Sequence, residues 1–182
     1  MTDYLSLPRR SFLFWSAAAA ATLMIRPDTA SAAVDQFRTL TLHANWSDED
    51  FRGPYYEKGR YLPDALAEIN HLFRDRHNQM VTKIDIRLLD LLNRFAAQAA
   101  YKNPLEVICG YRSRSTNNDL LHEGKKVAKD SLHIFGRAVD LRFKGLPLKQ
   151  ARKIAIAMQG GGVGYYRKQN FLHLDVGPVR KW

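Results

Sequence analysis

The sequence predicts an α+β fold, a single domain with helices packed on one face of a small, mainly antiparallel sheet. Short runs with strand character carry half of this reading: Leu105–Tyr111, Ala138–Phe143 and Phe171–Val176. Pro63–Asp75, Asp85–Tyr101 and Pro147–Met158 carry the other half, because their apolar residues recur at helical spacing. Length agrees: 182 residues, 46% hydrophobic and 25% charged, support one substantial core and not two.

At the N-terminus, Pro8-Arg9-Arg10-Ser11-Phe12-Leu13-Phe14 precedes an apolar, alanine-rich stretch, and Ala30-Ser31-Ala32 offers a small-residue cleavage site. Residues 1–32 read as a twin-arginine signal peptide, which implies the twin-arginine export machinery as a partner and the periplasm as destination. The apolar stretch is too short and too rich in alanine to span well, so no stable membrane span is expected after processing. Residues 33–182 are then the working domain. Of the formal net charge of +10, +9 falls on this domain, which favours an anionic partner. The lysines and arginines are scattered and form no nucleic-acid-binding module, so an exported protein with this charge points to an anionic cell-wall polymer instead.

Phe37–Ala44 alternates as a first strand with Leu40 and Leu42 inward, and Asn45–Tyr56 is turn-rich around Gly53-Pro54, a stretch open to a hairpin whose ends the sequence does not define. In the first helix Leu62, Leu66, Ile69, Leu72 and Phe73 share a face, and Pro63 suits a first turn. Asp85 is placed to cap the second helix, whose stripe is Leu88, Leu89, Leu92, Phe95, Ala96 and Ala99. His43, His71, His77 and His122 read as bystanders. Cys109 is the only cysteine, which excludes an intramolecular disulfide and a thiolate cluster. Its apolar run, Leu105–Gly110, reads it as a small buried hydrophobe. Arg112 follows that strand directly, and Thr116, Asn117 and Asn118 read as a loop ordered by local side-chain hydrogen bonds. Gly160-Gly161-Gly162 ends the third helix, and no lysine–serine follows to make a phosphate loop.

The chemistry gathers on two strands. In Ala138–Phe143, Val139, Leu141 and Phe143 face one way and Asp140 the other. In Phe171–Val176, Leu172 and Leu174 oppose His173 and Asp175. Paired in one sheet, the strands put apolar faces into the core and Asp140 with His173 on the other side, while His133 arrives from the preceding loop. Two imidazoles and a carboxylate make a three-ligand zinc set with an open fourth position.

Ser131-Leu132-His133-Ile134-Phe135-Gly136-Arg137-Ala138-Val139-Asp140 with the late His173 resembles the signature of zinc D-Ala-D-Ala metallopeptidases and murein endopeptidases, which share a fold with the Hedgehog signalling domain. Gly110-Tyr111-Arg112-Ser113-Arg114-Ser115-Thr116-Asn117-Asn118, Gly160–Tyr166 and Asn170–Asp175 are similar to the exported YcbK-like murein endopeptidase branch, from about Phe37 to Trp182. The resemblance implies a zinc-dependent peptidoglycan hydrolase that cuts peptide cross-links, with 3-3 diaminopimelate links as the characteristic target. It implies metal on His133, Asp140 and His173, substrate contact or transition-state stabilisation by Arg112, and substrate contact at Ser131. Related chemistry would suit a D,D-carboxypeptidase or dipeptidase on stem peptides, and a zinc-stabilised wall-binding domain without catalysis is the third reading. Relatives carry their general base three or two residues before the last histidine, where this sequence has Asn170 and Phe171. Asp175 is the nearest carboxylate, open to two roles: general base, or orientation of His173.

Overall fold

Residues 37–182, the part of the chain that the computed structural model describes, are organised around one eight-stranded mixed sheet. The expected signal segment with Arg9 and Arg10 lies outside the described residues. In chain order the elements are β1 (Phe37–Ala44), β2 (Glu49–Glu57), β3 (Arg60–Tyr61), α1 (Pro63–Leu72), α2 (Ile86–Gln98), β4 (Leu105–Cys109) and α3 (Arg114–His122). A 3-10 turn (Leu132–Phe135), β5 (Ala138–Phe143), α4 (Leu148–Ala157), β6 (Gly162–Tyr166), β7 (Phe171–Asp175) and β8 (Arg180–Lys181) follow. The strands run β3-β2-β1-β4-β5-β7-β6-β8; the β1–β4 and β6–β8 pairs are parallel and the rest antiparallel. The α+β reading holds.

Strand parity sorts the two faces of the sheet. Leu42 and Ala44 of β1 pair with Leu105 and Val107 of β4, Val107 pairs with Leu141 of β5, and Leu141 and Val139 pair with Leu172 and Leu174 of β7. All eight are buried, and they form the floor of the core. Three helices cover it: α1 through Ile69 and Leu72, α2 through Leu88, Leu89, Leu91, Leu92 and Phe95, and α4 through Ala151 and Ala155. Pro63 opens α1, where its missing N–H breaks no helical bond. Asp85 caps α2 by accepting from the Arg87 N–H at 3.0 Å.

Three elements differ from the sequence reading. The sheet is larger than expected because Glu49–Glu57 forms a strand through Gly53 and Pro54. Pro54 cannot donate to a ladder, and the register shift between Arg38 and Thr39 falls beside its pairing with Thr39, so a bulge accommodates it. Arg114–His122 is a helix, although its serine, threonine and asparagines read as a loop. Ser113 supplies the missing start signal, its hydroxyl accepting from the Thr116 N–H at 3.2 Å. Cys109 is half-buried on the polar face, since a register irregularity in β4 turns it opposite Asp140.

Candidate metal centre

The face of the sheet away from the three helices carries a row of paired residues crossing four strands: Cys109 of β4, Asp140 of β5, His173 of β7 and Gly164 of β6. Alternation puts Asp140 and His173 there because their neighbours Val139, Leu141, Leu172 and Leu174 are committed to the core. His133 comes from the 3-10 turn just before β5, whose last carbonyl groups are closed off by Gly136 in the left-handed region (φ 63°). The turn is tied to the end of β4 by the Arg112 N–H, which donates to the His133 carbonyl at 3.2 Å.

Three side-chain atoms converge. His133 Nε2 lies 3.1 Å from His173 Nδ1 and 3.4 Å from Asp140 Oδ1, and His173 Nδ1 lies 3.0 Å from Asp140 Oδ1. Atoms held by one tetrahedral zinc at ~2.0–2.1 Å are separated by about 3.3 Å, so the triangle has the size of such a site. The tautomers suit it as well. His133 Nδ1 is 2.7 Å from the Gly110 carbonyl oxygen, which can only accept, so Nδ1 carries the proton and Nε2 presents a lone pair. His173 Nε2 is 2.9 Å from Asp175 Oδ2, so Nε2 donates there and Nδ1 presents the lone pair. Burial by itself would raise the Asp140 carboxyl pKa; without a metal, protonated His133 and His173 outweigh burial and hold the group below the ordinary carboxylate range, and a bound cation would take the place of their protons. Asp140 is therefore an ionised acceptor.

Cys109 Sγ is a fourth nearby donor, 3.8 Å from His133 Nδ1, and Cys109, His133 and Asp140 together could also hold a cation. That set would use the nitrogen already committed to Gly110, or a longer reach to Nε2. The His133–Asp140–His173 triangle needs neither.

Asp175 is fully buried, and every oxygen is occupied. Oδ1 accepts from the Gly162 N–H (3.1 Å), the Gly177 N–H (2.8 Å) and Arg180 (3.0 Å); Oδ2 accepts from His173 and from Arg180 (2.7 Å). Burial works to raise its pKa, and His173, Arg180 and the two backbone donors more than offset that, leaving it well below the ordinary range. Gly162 makes room for this: a Cβ there would collide with the Asp175 carboxylate and the Arg180 guanidinium.

Arg112 is half-buried beside the cluster, with Asn117 Oδ1 at 3.3 Å and Cys109 Sγ at 3.6 Å. Among the described residues it pairs with no carboxylate. Two cavities meet at Arg112, Asp140 and Phe171: one leads toward Trp46, Arg76 and His77, the other toward Lys126, Ser131 and Trp182. Ser131 is on the wall of the second, just ahead of the turn that carries His133.

The family model described as peptidoglycan L,D-endopeptidase MepK matches residues 31–182. The chain belongs to the MepK family. Its relatives include the peptidoglycan L,D-endopeptidase MepK of Escherichia coli (strain K12), 36% identical over 174 residues that cover 96% of each chain. The MepK of Shigella flexneri shows the same identity and coverage. The probable peptidoglycan L,D-endopeptidase MepK of Haemophilus influenzae is 38% identical over 146 residues, covering 80% of this chain and 78% of its own.

Sequence reading missed several groups of this site. Asp130, Tyr166 and Trp182 all line the second cavity, and Arg180 holds Asp175. Asp130 stands three residues before His133, and that proximity was its available signal. The others reach the site through the β6–β7 and β6–β8 pairings, which leave no local pattern. His43 and His71 face Asp50 and Glu49 instead, while His77 lines the first cavity.

Proposed function

We propose that this chain is a zinc-dependent murein endopeptidase that hydrolyses peptide cross-links of peptidoglycan. The observation that carries this reading is the three-atom triangle of His133 Nε2, Asp140 Oδ1 and His173 Nδ1, which lines one cavity and through Asp140 borders a second. A groove that continues on both sides of the reacting centre suits an endopeptidase, whereas a carboxypeptidase needs room for only a terminal residue beyond the scissile bond. Arg76 on one side and Lys126 on the other, with Arg112 between them, suit a substrate with anionic groups flanking the scissile amide. A 3-3 cross-link joins two diaminopimelate residues that each keep a free carboxylate, so it has that form. The names of the relatives agree with this substrate.

When bound, zinc would supply Lewis-acid polarisation of the amide carbonyl and activation of water. The chain's own residues do the rest. The Gly110 carbonyl and the Asp175 carboxylate fix the two imidazole planes and tautomers. Arg112 offers a planar, permanently charged fork to a substrate carboxylate or a developing oxyanion, and Ser131 offers a hydroxyl to the peptide. Of the two roles open to Asp175, orientation of His173 fits its five occupied contacts; an acceptor with no vacant lone pair facing the groove is a poor base. Asp130 lines the groove with a single long ion pair to Arg114 (3.6 Å), and we assign it to receive the water's proton and pass it to the leaving amine. His122 and Glu123 line neither cavity.

We further infer delivery to the periplasm by the paired arginines Arg9 and Arg10. Among the described residues, no helix is long and apolar enough to cross a membrane. The test of the activity is digestion of purified 3-3 and 4-3 cross-linked muropeptides, resolved by mass. Conversion of the dimer to two monomers with uptake of one water is the expected result. Intact dimers with tight retention on murein would instead establish a wall-binding domain.

A further inference from the structure

The end of the described chain forms a wall of the groove that the roles above leave without a task. β6 pairs with β7 so that Gly164 lies opposite His173 and Tyr166 opposite Phe171, which puts Tyr166 on the face of the sheet that bears His173. The Tyr166 ring stacks on Phe171 with centroids 4.4 Å apart and planes 12° apart, so its plane is fixed. β8 then lays Trp182 across Gly164: a Cβ at that glycine would lie 2.7 Å from the indole ring. The indole sits 5.3 Å from the His173 ring, with the Arg180 guanidinium 5.0 Å from its centre.

One hydrogen bond gives this wall a chemical direction. The Trp182 indole N–H donates to the Tyr166 hydroxyl oxygen at 3.1 Å. An indole nitrogen can only donate, so the bond uses a phenol lone pair and leaves the phenol proton for another acceptor. Among the described residues Tyr166 Oη has no acceptor of its own. Tyr166 and Trp182 line the same cavity as Arg112, His133, Asp140 and His173. A fixed donor, half-buried and with its proton uncommitted, therefore borders the reacting centre.

We propose that Tyr166 is a catalytic residue whose O–H donates a hydrogen bond to the carbonyl oxygen of the scissile amide as charge builds there, and that Trp182 is a positioning residue that holds this hydroxyl in place. The inference rests on the murein endopeptidase reading. Water adds to the carbonyl carbon, the C–N bond breaks, and the proton released goes to the departing amine; Tyr166 keeps its own proton throughout. Its contribution belongs to the transition state, where the oxygen is most negative, so it acts on kcat more than on KM.

The experiment measures kcat, KM and bound zinc for the wild type, Tyr166→Phe and Trp182→Phe on one cross-linked muropeptide. Tyr166→Phe keeps the ring stacking and removes only the hydroxyl. Its kcat should fall by about 10²–10³-fold with KM and zinc content at wild-type values. Trp182→Phe keeps an aromatic ring over Gly164 but loses the N–H, so it should lower kcat by less, also without moving zinc content. Wild-type kcat in Tyr166→Phe, a rise in KM alone, or a parallel loss of zinc each overturns the proposal. Absence of turnover in the wild type itself would overturn the endopeptidase reading, and the proposal with it.

Discussion

Asp175 shows how many contacts one carboxylate can satisfy at once. It receives the His173 Nε2–H while two backbone donors and Arg180 hold it in place. Asp175→Asn should therefore weaken zinc binding by about 10–100-fold, and excess zinc should restore turnover. A lasting deficit of roughly 10²–10⁴-fold at saturating zinc would mark a general base instead. Asp130→Asn should show that lasting deficit while zinc affinity stays at the wild-type value, read from kcat and from a zinc titration of the same sample. At this scale the sequence was most informative where parity alone decides direction. Asp140 and His173 could be placed on one face because Val139, Leu141, Leu172 and Leu174 had to be on the other. Gly162 was hidden because it approaches Asp175 from the neighbouring strand β6, whereas Gly177 and Arg180 reach it through the turn that follows β7, whose fold leaves no periodic pattern.

The elements hold these residues at two depths. β5 is anchored through its apolar side, with Val139 and Leu141 fully buried, so Asp140 rides on a strand the core cannot release. α3 is held differently, by polar contacts. Asp75 is buried and accepts from the Ser113 N–H at 2.7 Å and the His77 N–H at 2.9 Å, while Asn117 donates to the Ala128 and Lys129 carbonyls of the segment leading to His133. Burial alone would raise the Asp75 pKa; hydrogen bonds from Thr116, His77 and Ser113 outweigh it and lower the value. A depressed folded-state pKa contributes stability that is present above the unfolded value, about 3.9, and is lost as pH falls through the folded one. The wild type should thus lose stability below about pH 4, and Asp75→Asn should be less stable at neutral pH with a flatter acid limb. Denaturant melts at stepped pH read both slopes, and parallel slopes would remove Asp75 from this role. Sequence reading missed α3 because Arg114–His122 carries polar residues of low helix propensity and buries Thr116 and Asn117 rather than an apolar stripe. It found α1, α2 and α4 because each buries apolar residues on one side.

For the whole molecule, the sheet divides labour between its faces. One is sealed by α1, α2 and α4, and the other carries the row Cys109, Asp140, His173 and Gly164 along an open groove. The +9 charge of residues 33–182 adds long-range attraction to an anionic wall polymer. The α+β class was legible because the buried strands and helices have clean periods. The full extent of the sheet was not, since β2 runs through Gly53-Pro54 and β3 and β8 are two residues each. Central to the account is the identity of the metal-holding triangle. The direct measurement is zinc per chain after metal-free preparation, reconstitution and removal of excess, for the wild type, His173→Ala and Cys109→Ala. The account predicts one zinc in the wild type and in Cys109→Ala, and none in His173→Ala. Full zinc in His173→Ala, or its loss in Cys109→Ala, would contradict it.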